Sequence, residues 1–455
     1  MAKKPPPMQL YGLLPKKNCR KCGLPTCMAF ALKLAAGEAE VEACPLLEPA
    51  SKERLKALLA PPVKAIVIGS PPRSVKLGGE EVLYRHERRF LRPASIAVVL
   101  DDAHGPREVA KLAAEAEGYA LERLGERLKV GLIAVRSSTG EPTRFAEAVA
   151  SAAKATGLPL ALCSMEPKVM EAGLKAAEGL RPLIYAADSS NLISMVELAA
   201  RFNSPLTVHA SSLDEAVELA GQVLSFGLEE VALDLTGPSL AETLSNMILA
   251  RGLAVRRGVR ELGLPLTAYP KAFALKSSAP QLMELLASSL MLLRYASLIF
   301  LEGLDPLRLA PLMTLRQAIY SDPQRPMSVK PGLYEVGEPT PQSPVLVTTN
   351  YALTFHMVRE DAGASGVPCY MVVVDTEGLS VATSMAGGKL TAEKVAEAIR
   401  ESKVEGRVAH KTLILPGRAA KLRADVERLS GWRTIVGPRE SAELRSFLKG
   451  WPFPS

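Results

Sequence analysis

From Pro93 to about residue 320, short apolar runs alternate with longer stretches of helical periodicity. The runs are "SIAVVLD" (95–101), "VGLIAVR" (130–136), "PLALCS" (159–164), "PLIYAA" (182–187), "PLTVHA" (205–210), "VALDL" (231–235), "PLTAYP" (265–270) and "ASLIFLE" (296–302). Between them lie helical stretches such as "REVAKLAAEAEGYALERLGE" and "SLDEAVELAGQVLSFG". Eight strand–helix pairs in about 210 residues predict one closed (β/α)8 barrel, with an open doubly wound sheet as the alternative. Several runs open with Pro, where a missing N–H costs the ladder little.

The flanks read differently. Residues 1–60 form one unit, Pro-rich at first and then rich in cysteine, with "FALKLAAGE" helical in pattern. A short strand and a Gly-Gly hairpin, "SVKLGGEEVLYRH", are expected within 63–92, ahead of a barrel that extends to 320. Residues 321–343 carry many prolines and no periodicity, as a wrapping linker would. From 344 to 455 four β/α units follow at "PVLVTTN", "PCYMVVVD", "TLILPG" and "RTIVGP", predicting a Rossmann-like parallel α/β domain. The fold class is therefore α/β in three parts.

Composition narrows the function. A chain of 455 residues exceeds one core, and 48% apolar content provides ample material for several. The net charge of +7 is spread along the chain, which argues against nucleic acid. The greasiest segment, 282–303, is interrupted by Glu284 and Arg294 and reads as a buried helix followed by a strand, with no membrane span. No secretory signal is visible, so a cytoplasmic location is expected. In a reducing compartment, clustered cysteines bind metal or do redox work.

Four of the six cysteines fall in the first tenth of the chain, spaced Cys19-x2-Cys22-x4-Cys27-x16-Cys44. Four thiolates suit a [4Fe–4S] cluster or a structural zinc. Gly23 and Pro25 allow a tight turn, and Pro45 follows the last cysteine. Lys16, Lys17, Arg20 and Lys21 would offset a negative cluster or dock a donor, or simply be solvated. Cys163 and Cys369 are expected in cores.

These residues resemble a family. "LLPKKNCRKCGLPTCMAFALKLAAGEAEVEACPLL" is similar to the cluster motif of the large (gamma) subunit of the corrinoid iron–sulfur protein of the acetyl-CoA decarbonylase/synthase pathway. "PVLVTTNYALTFHMVREDAGASGVPCYMVVVDTEGLSVATSMAGGKL" resembles its carboxy-terminal corrinoid domain. The resemblance implies a methyl carrier with no stand-alone catalysis. A cobamide on Co(I) accepts the methyl group of methyltetrahydrofolate or methyltetrahydropterin through a methyltransferase and delivers it to the acetyl-CoA synthase/CO dehydrogenase. The [4Fe–4S] cluster, fed by a low-potential donor, reactivates Co(II). A small barrel subunit completes a heterodimer.

No D-x-H-x-x-G pattern occurs in the last domain, which suits a base-off cobamide without a protein ligand below cobalt. By resemblance, cofactor contacts fall on Thr348, Thr354, Gly378, Leu379, Ser380, Val381, Gly437 and Ser441, the last standing where alanine is expected. The barrel's carboxyl ends offer Asp101, Arg136, Asp188, Asn191, His209, Asp234 and Glu302. They read as scaffold, with a barrel methyltransferase that binds methyl-pterin and methylates its own cobamide as the alternative function. Asp102 and Asp188 could equally be helix caps.

Overall fold

The computed structural model describes residues 5–452 (the side chain of residue 57 excepted), and these fall into two compact units. One comprises the chain up to Leu121 together with Leu128–Tyr320; the other comprises Glu122–Arg127 and the chain from Ser321 onward.

At the start of the first unit, helices Pro7–Gly12, Cys27–Ala36 and Pro49–Leu59 enclose a small core of Leu10, Leu14, Phe30, Leu34, Val41 and Leu55. The middle helix is bounded as its sequence requires. Thr26 Oγ1 accepts the N–H of Ala29 at 3.1 Å, and Gly37 ends the helix at φ 78°, a left-handed conformation that glycine adopts at little cost.

The eight apolar runs form a closed parallel barrel in chain order, with the last strand, Ala296–Glu302, returning to pair with the first, Ser95–Asp101. Small residues Ala97, Ala134, Ala161 and Ala232 share the interior with Leu132, Leu298 and Phe300. The same cluster contains Ile66, Ile68 and Leu77, so the hairpin preceding the barrel contributes to its inner core. Each of these three is at most 1% exposed, a burial that stabilises by roughly 1.5–3 kcal/mol apiece.

Three expectations need correction. The hairpin runs Ala65–Ser70 to Arg73–Gly78 and turns at Pro71–Pro72, one strand earlier than the Gly-Gly pair. Gly78 and Gly79 instead end it, and the Glu80 carboxylate accepts the N–H groups of Leu91 at 3.0 Å and Arg92 at 3.1 Å, folding 80–92 into a loop. The first barrel helix stops at Gly118. The helix-forming residues beyond it make a second hairpin, Ala120–Arg123 with Glu126–Lys129, because Leu124 and Gly125 both take positive φ (51° and 76°). The proline-rich stretch after 320 is not all linker: Gly332–Val336 forms a strand.

In the second unit that strand lies antiparallel at the edge of a five-stranded sheet. The spatial order is 332–336, 369–374, 345–349, 412–415, 433–436, and the last four are parallel. The chain leaves 345–349 to build 369–374 on one side, then crosses to build 412–415 on the other. A parallel sheet that reverses direction in this way opens a crevice at the carboxyl ends of the two strands flanking the reversal. Here those strands are Val345–Thr349 and Thr412–Leu415.

Candidate functional site

The four clustered cysteines line one pocket of about 320 Å³ together with Leu14, Asn18, Leu24 and Phe30. Cys27 begins its helix and is buried, Cys22 and Cys44 are half-buried, and Cys19 is exposed. Asn18 Oδ1 accepts the N–H of Cys27 at 2.8 Å and ties the loop to the helix. Left-handed backbone recurs at Lys16, Asn18, Arg20 and Gly23 (φ 58°, 48°, 61° and 80°). Alternating left-handed residues form concavities of N–H groups that receive anions, iron–sulfur centres among them. The donor set is thus four sulfurs around a shared volume. Among the described residues, no three His, Cys, Asp or Glu side chains draw in tightly enough to hold a lone metal ion. Cys163 and Cys369 are buried in strands, and burial pushes both thiols up to about 12, keeping them protonated.

The crevice at the reversal point of the second unit is an open pocket of about 900 Å³. Thr348, Thr354, Ser380, Val381, Gly437 and Ser441 all line it. Gly378 and Leu379 do not. Gly378 lies against Pro326 and Ser328, and Leu379 lines a neighbouring hollow with Asn350 and Glu377. Sequence reasoning missed Met357 and Val358 from helix Ala352–Gly363, Arg418 and Glu440 from the segments after the last two strands, and Leu444 at the start of the short helix Leu444–Phe447. Arg418 and Glu440 form an ion pair at the rim.

Two details of this pocket concern binding. Thr348 is 1% exposed and its Oγ1 has no hydrogen-bond partner, a costly state for a buried hydroxyl that lines a pocket. A ligand with polar groups would satisfy it. The loop that delivers Ser380 and Val381 is set by Asn350. Its Oδ1 accepts the N–H groups of Thr376 and Gly378, each at 3.0 Å, while its Nδ2 donates to Asp375 Oδ1 at 3.0 Å. The two histidines of this unit face elsewhere. His410 pairs its ring with Trp451 and bonds the carbonyl of Ser343 at 3.0 Å; His356 lies with Glu335, Arg359 and Glu360.

The barrel's carboxyl ends carry charges that answer one another. Strand register sets Asp101 beside Arg136. Arg136 bonds Asp101 at 3.0 Å and Tyr269 at 2.7 Å and pairs with Glu302, which Lys271 also approaches at 3.4 Å. Burial works against its charge, but Tyr269, Asp101 and Glu302 outweigh it and raise its pKa. Asp102 is no cap: its carboxylate accepts Ser137 Oγ at 2.8 Å, Ser138 N at 2.9 Å and Thr139 Oγ1 at 2.8 Å, clamping the next loop. Asp188 accepts the N–H of Ser190 at 2.8 Å.

Asp234 is 1% exposed, bonds Tyr185, and stands 3.7 Å from His209 Nδ1, an ion-pair distance. That carboxylate raises the His209 pKa against the opposing effect of burial. The pair's contribution to stability is therefore complete below the ordinary imidazole value of about 6.5 and is lost as pH rises through the raised value in the fold. Thermal melts from about pH 5.5 to 8.5 should show Tm falling through that window, and His209→Ala should abolish the step.

Fold and sites define an α/β protein with two separate centres, a four-thiol loop and a small-molecule crevice, in the segments that flank a barrel. The sequence pattern of the family described as CO dehydrogenase/acetyl-CoA synthase delta subunit matches residues 65–448, and that of a family described as an Fe-S cluster matches 14–46. The chain belongs to the family of large (gamma) subunits of corrinoid/iron–sulfur proteins of acetyl-CoA decarbonylase/synthase complexes. It is 40% identical to the acetyl-CoA decarbonylase/synthase complex subunit gamma of Methanopyrus kandleri over 97% of both chains. It is 36% identical to the corrinoid/iron-sulfur protein large subunit of Moorella thermoacetica, over 97% of this chain and 98% of that one. Among solved structures, a dihydropteroate synthase from Xanthomonas albilineans aligns with 57% of this chain and 100% of its own, at 16% identity and a TM-score of 0.42, too loose to bear on function. Among the described residues, no helix is long and apolar enough to cross a membrane.

Proposed function

We propose that this chain is the cofactor-bearing subunit of a methyl carrier, holding a cobamide in the crevice at the reversal point and a [4Fe–4S] cluster in the four-thiol loop. The observation that carries the reading is the buried, unpartnered hydroxyl of Thr348 in an otherwise open pocket at the carboxyl ends of a parallel sheet. When bound, the cobamide supplies a low-valent cobalt nucleophile able to carry a methyl group, and the cluster supplies a low-potential electron.

The chain's own residues bind and orient. Thr348, Thr354, Ser380 and Ser441 offer hydroxyls suited to the amides of a corrinoid, while Met357, Val358 and Leu444 offer apolar surface to its ring. At Gly417 an added Cβ would stand 2.6 Å from the carbonyl of Gly437, so glycine there lets the two loops approach each other. Among the described residues, His410 bonds the carbonyl of Ser343 and His356 lies with Glu335, Arg359 and Glu360, so neither is part of the crevice lining; the cobamide of this reading has no protein ligand below cobalt. Cys19, Cys22, Cys27 and Cys44 would ligate the cluster. The proposed partners are a small barrel subunit, a methyltransferase using a methyl-pterin, acetyl-CoA synthase/CO dehydrogenase and a low-potential electron donor.

The test is metal content after anaerobic preparation with the small subunit, together with Thr348→Val. About four irons and close to one cobalt per chain are expected. Valine removes the orphaned hydroxyl, so the cobamide-free protein should melt higher, recovering part of a penalty of about 1–3 kcal/mol, while cobamide binds about tenfold more weakly. Iron without cobalt, even after incubation with cobamide, overturns the corrinoid assignment.

A further inference from the structure

The loop that carries the first thiols is charged with one sign only. Lys16, Lys17, Arg20 and Lys21 are all exposed. The chain has no Asp or Glu before Glu38, and that carboxylate stands 3.8 Å from Lys33. Glu42 is engaged by Lys56 at 3.0 Å and Lys52 at 3.9 Å. Among the described residues, none of the four loop cations lies within ion-pair distance of a carboxylate; Lys16 instead sits 5.5 Å over the ring of Tyr11. Four uncompensated positive charges on six consecutive residues form a collar around the thiol loop.

Such a collar has two physical uses. It can offset the charge of a thiolate cluster from within, or it can meet an anionic surface arriving from solvent. Placement separates the two. Lys17 and Arg20 line the thiol pocket, but Lys16 and Lys21 do not. For the cluster's own charge, the left-handed backbone at Lys16, Asn18, Arg20 and Gly23 already supplies a concavity of N–H groups. Cations held out in solvent act instead on what approaches, raising the encounter rate of an oppositely charged partner. Cys19 is the exposed thiol of the four and Arg20 follows it in the chain, so the collar frames the edge where a cluster held there meets solvent. We propose that this collar docks an acidic electron-carrier protein, which delivers one electron at a time at the Cys19 edge. The donor is oxidised and the cluster reduced by one electron, with no bond made or broken and no proton moved. The inference rests on the cluster assigned above. A second copy of this chain fits poorly, since it brings the same collar and a net charge of +7.

The experiment uses the full chain, anaerobically prepared, and a small acidic ferredoxin with two [4Fe–4S] clusters as the probe. Interferometry measures binding of the oxidised ferredoxin, and stopped-flow absorbance measures reduction by the reduced form. The variant is Lys16→Glu/Lys21→Glu, at the two cations outside the pocket lining, with Lys16→Gln/Lys21→Gln as a milder companion. At low salt the Glu variant should bind ferredoxin and be reduced by it at least about tenfold less well than wild type. The difference should close as salt approaches about 1 M, where screening acts within about 3 Å. Reduced methyl viologen, a cation, should reduce the Glu variant at least as fast as wild type. Iron content checks that each protein is loaded. Variants that match wild type with ferredoxin, or a wild-type rate indifferent to salt, overturn the docking face and leave the cluster standing. Iron lost from both variants, or slowing with both reductants, assigns the collar to the cluster's own stability and overturns the proposal. A wild type without iron overturns the cluster reading and the docking face with it.

Discussion

With Cys22 replaced by alanine, iron should fall from about four per chain to less than one, while cobalt bound by the second unit stays at the wild-type level. The reasoning is geometric. The four sulfurs share one pocket, and Cys22 is half-buried in its wall, in the loop that the Asn18–Cys27 hydrogen bond ties to the helix. Removing one thiolate of four leaves an iron open to water and oxidant. The crevice proposed to hold the cobamide lies in a different compact unit and shares no lining residue with the thiol pocket, so its occupancy should be untouched. Methyl transfer by protein already loaded should persist, whereas rescue of cobalt that has fallen to Co(II) should be lost. Iron analysis and single-turnover methyl transfer, before and after deliberate oxidation, measure the two halves separately. Rescue that survives the loss of iron would remove the cluster from the reactivation role.

The second large effect is expected at Ala382, which lines the crevice with its side chain exposed to solvent. Ala382→Trp fills the pocket from its open side without inserting volume into a core. The cobamide-free protein should melt within about 2 °C of wild type, as surface substitutions rarely change stability by more than about 0.5 kcal/mol. Cobamide affinity should fall at least about 100-fold, close to 3 kcal/mol. Absorbance titration with cobamide against a parallel thermal melt distinguishes this from general damage. Unchanged affinity would mean that the cofactor sits elsewhere, with the neighbouring hollow around Asn350 and Leu379 the next place to look.

The barrel was legible because each of its strands is a short apolar run, several marked by a leading proline, and such runs have little choice but to be buried on both faces. The failures share a cause. "ALERLGERLK" is built from good helix formers, yet one Leu-Gly turn with two positive φ values makes a hairpin of it. Gly78 and Gly79 looked like a turn because paired glycines often are, but the prolines at 71 and 72 had already reversed the chain. The site divides the same way. Hydroxyls such as Thr348, at a strand end, and Ser380, at the start of helix Val381–Ala386, could be named from sequence because the resemblance to the family points to them. Met357, Val358 and Leu444 could not, since the face a helix turns toward a crevice depends on the spatial order of the strands, which local periodicity does not encode. Gly378 and Leu379 fell outside the pocket because Asn350 anchors their loop one turn before Ser380 enters it.

The edge strand Gly332–Val336 has a bearing on how the second unit can be handled as a fragment. Its partner, Cys369–Val374, reads CYMVVV: six residues with no charge, strong strand preference, and at most 4% exposure. A fragment begun at residue 344, as though everything before it were tether, would strip away the cover and leave that ribbon as an open edge. Unprotected edges of this composition recruit one another into stacked aggregates. Gly332–Val336 does the opposite: it is short, contains Glu335, and is flanked by Pro331 and Pro339, so it is a poor template for a further strand. Solubility of the isolated unit should therefore depend on a segment whose proline content made it look dispensable.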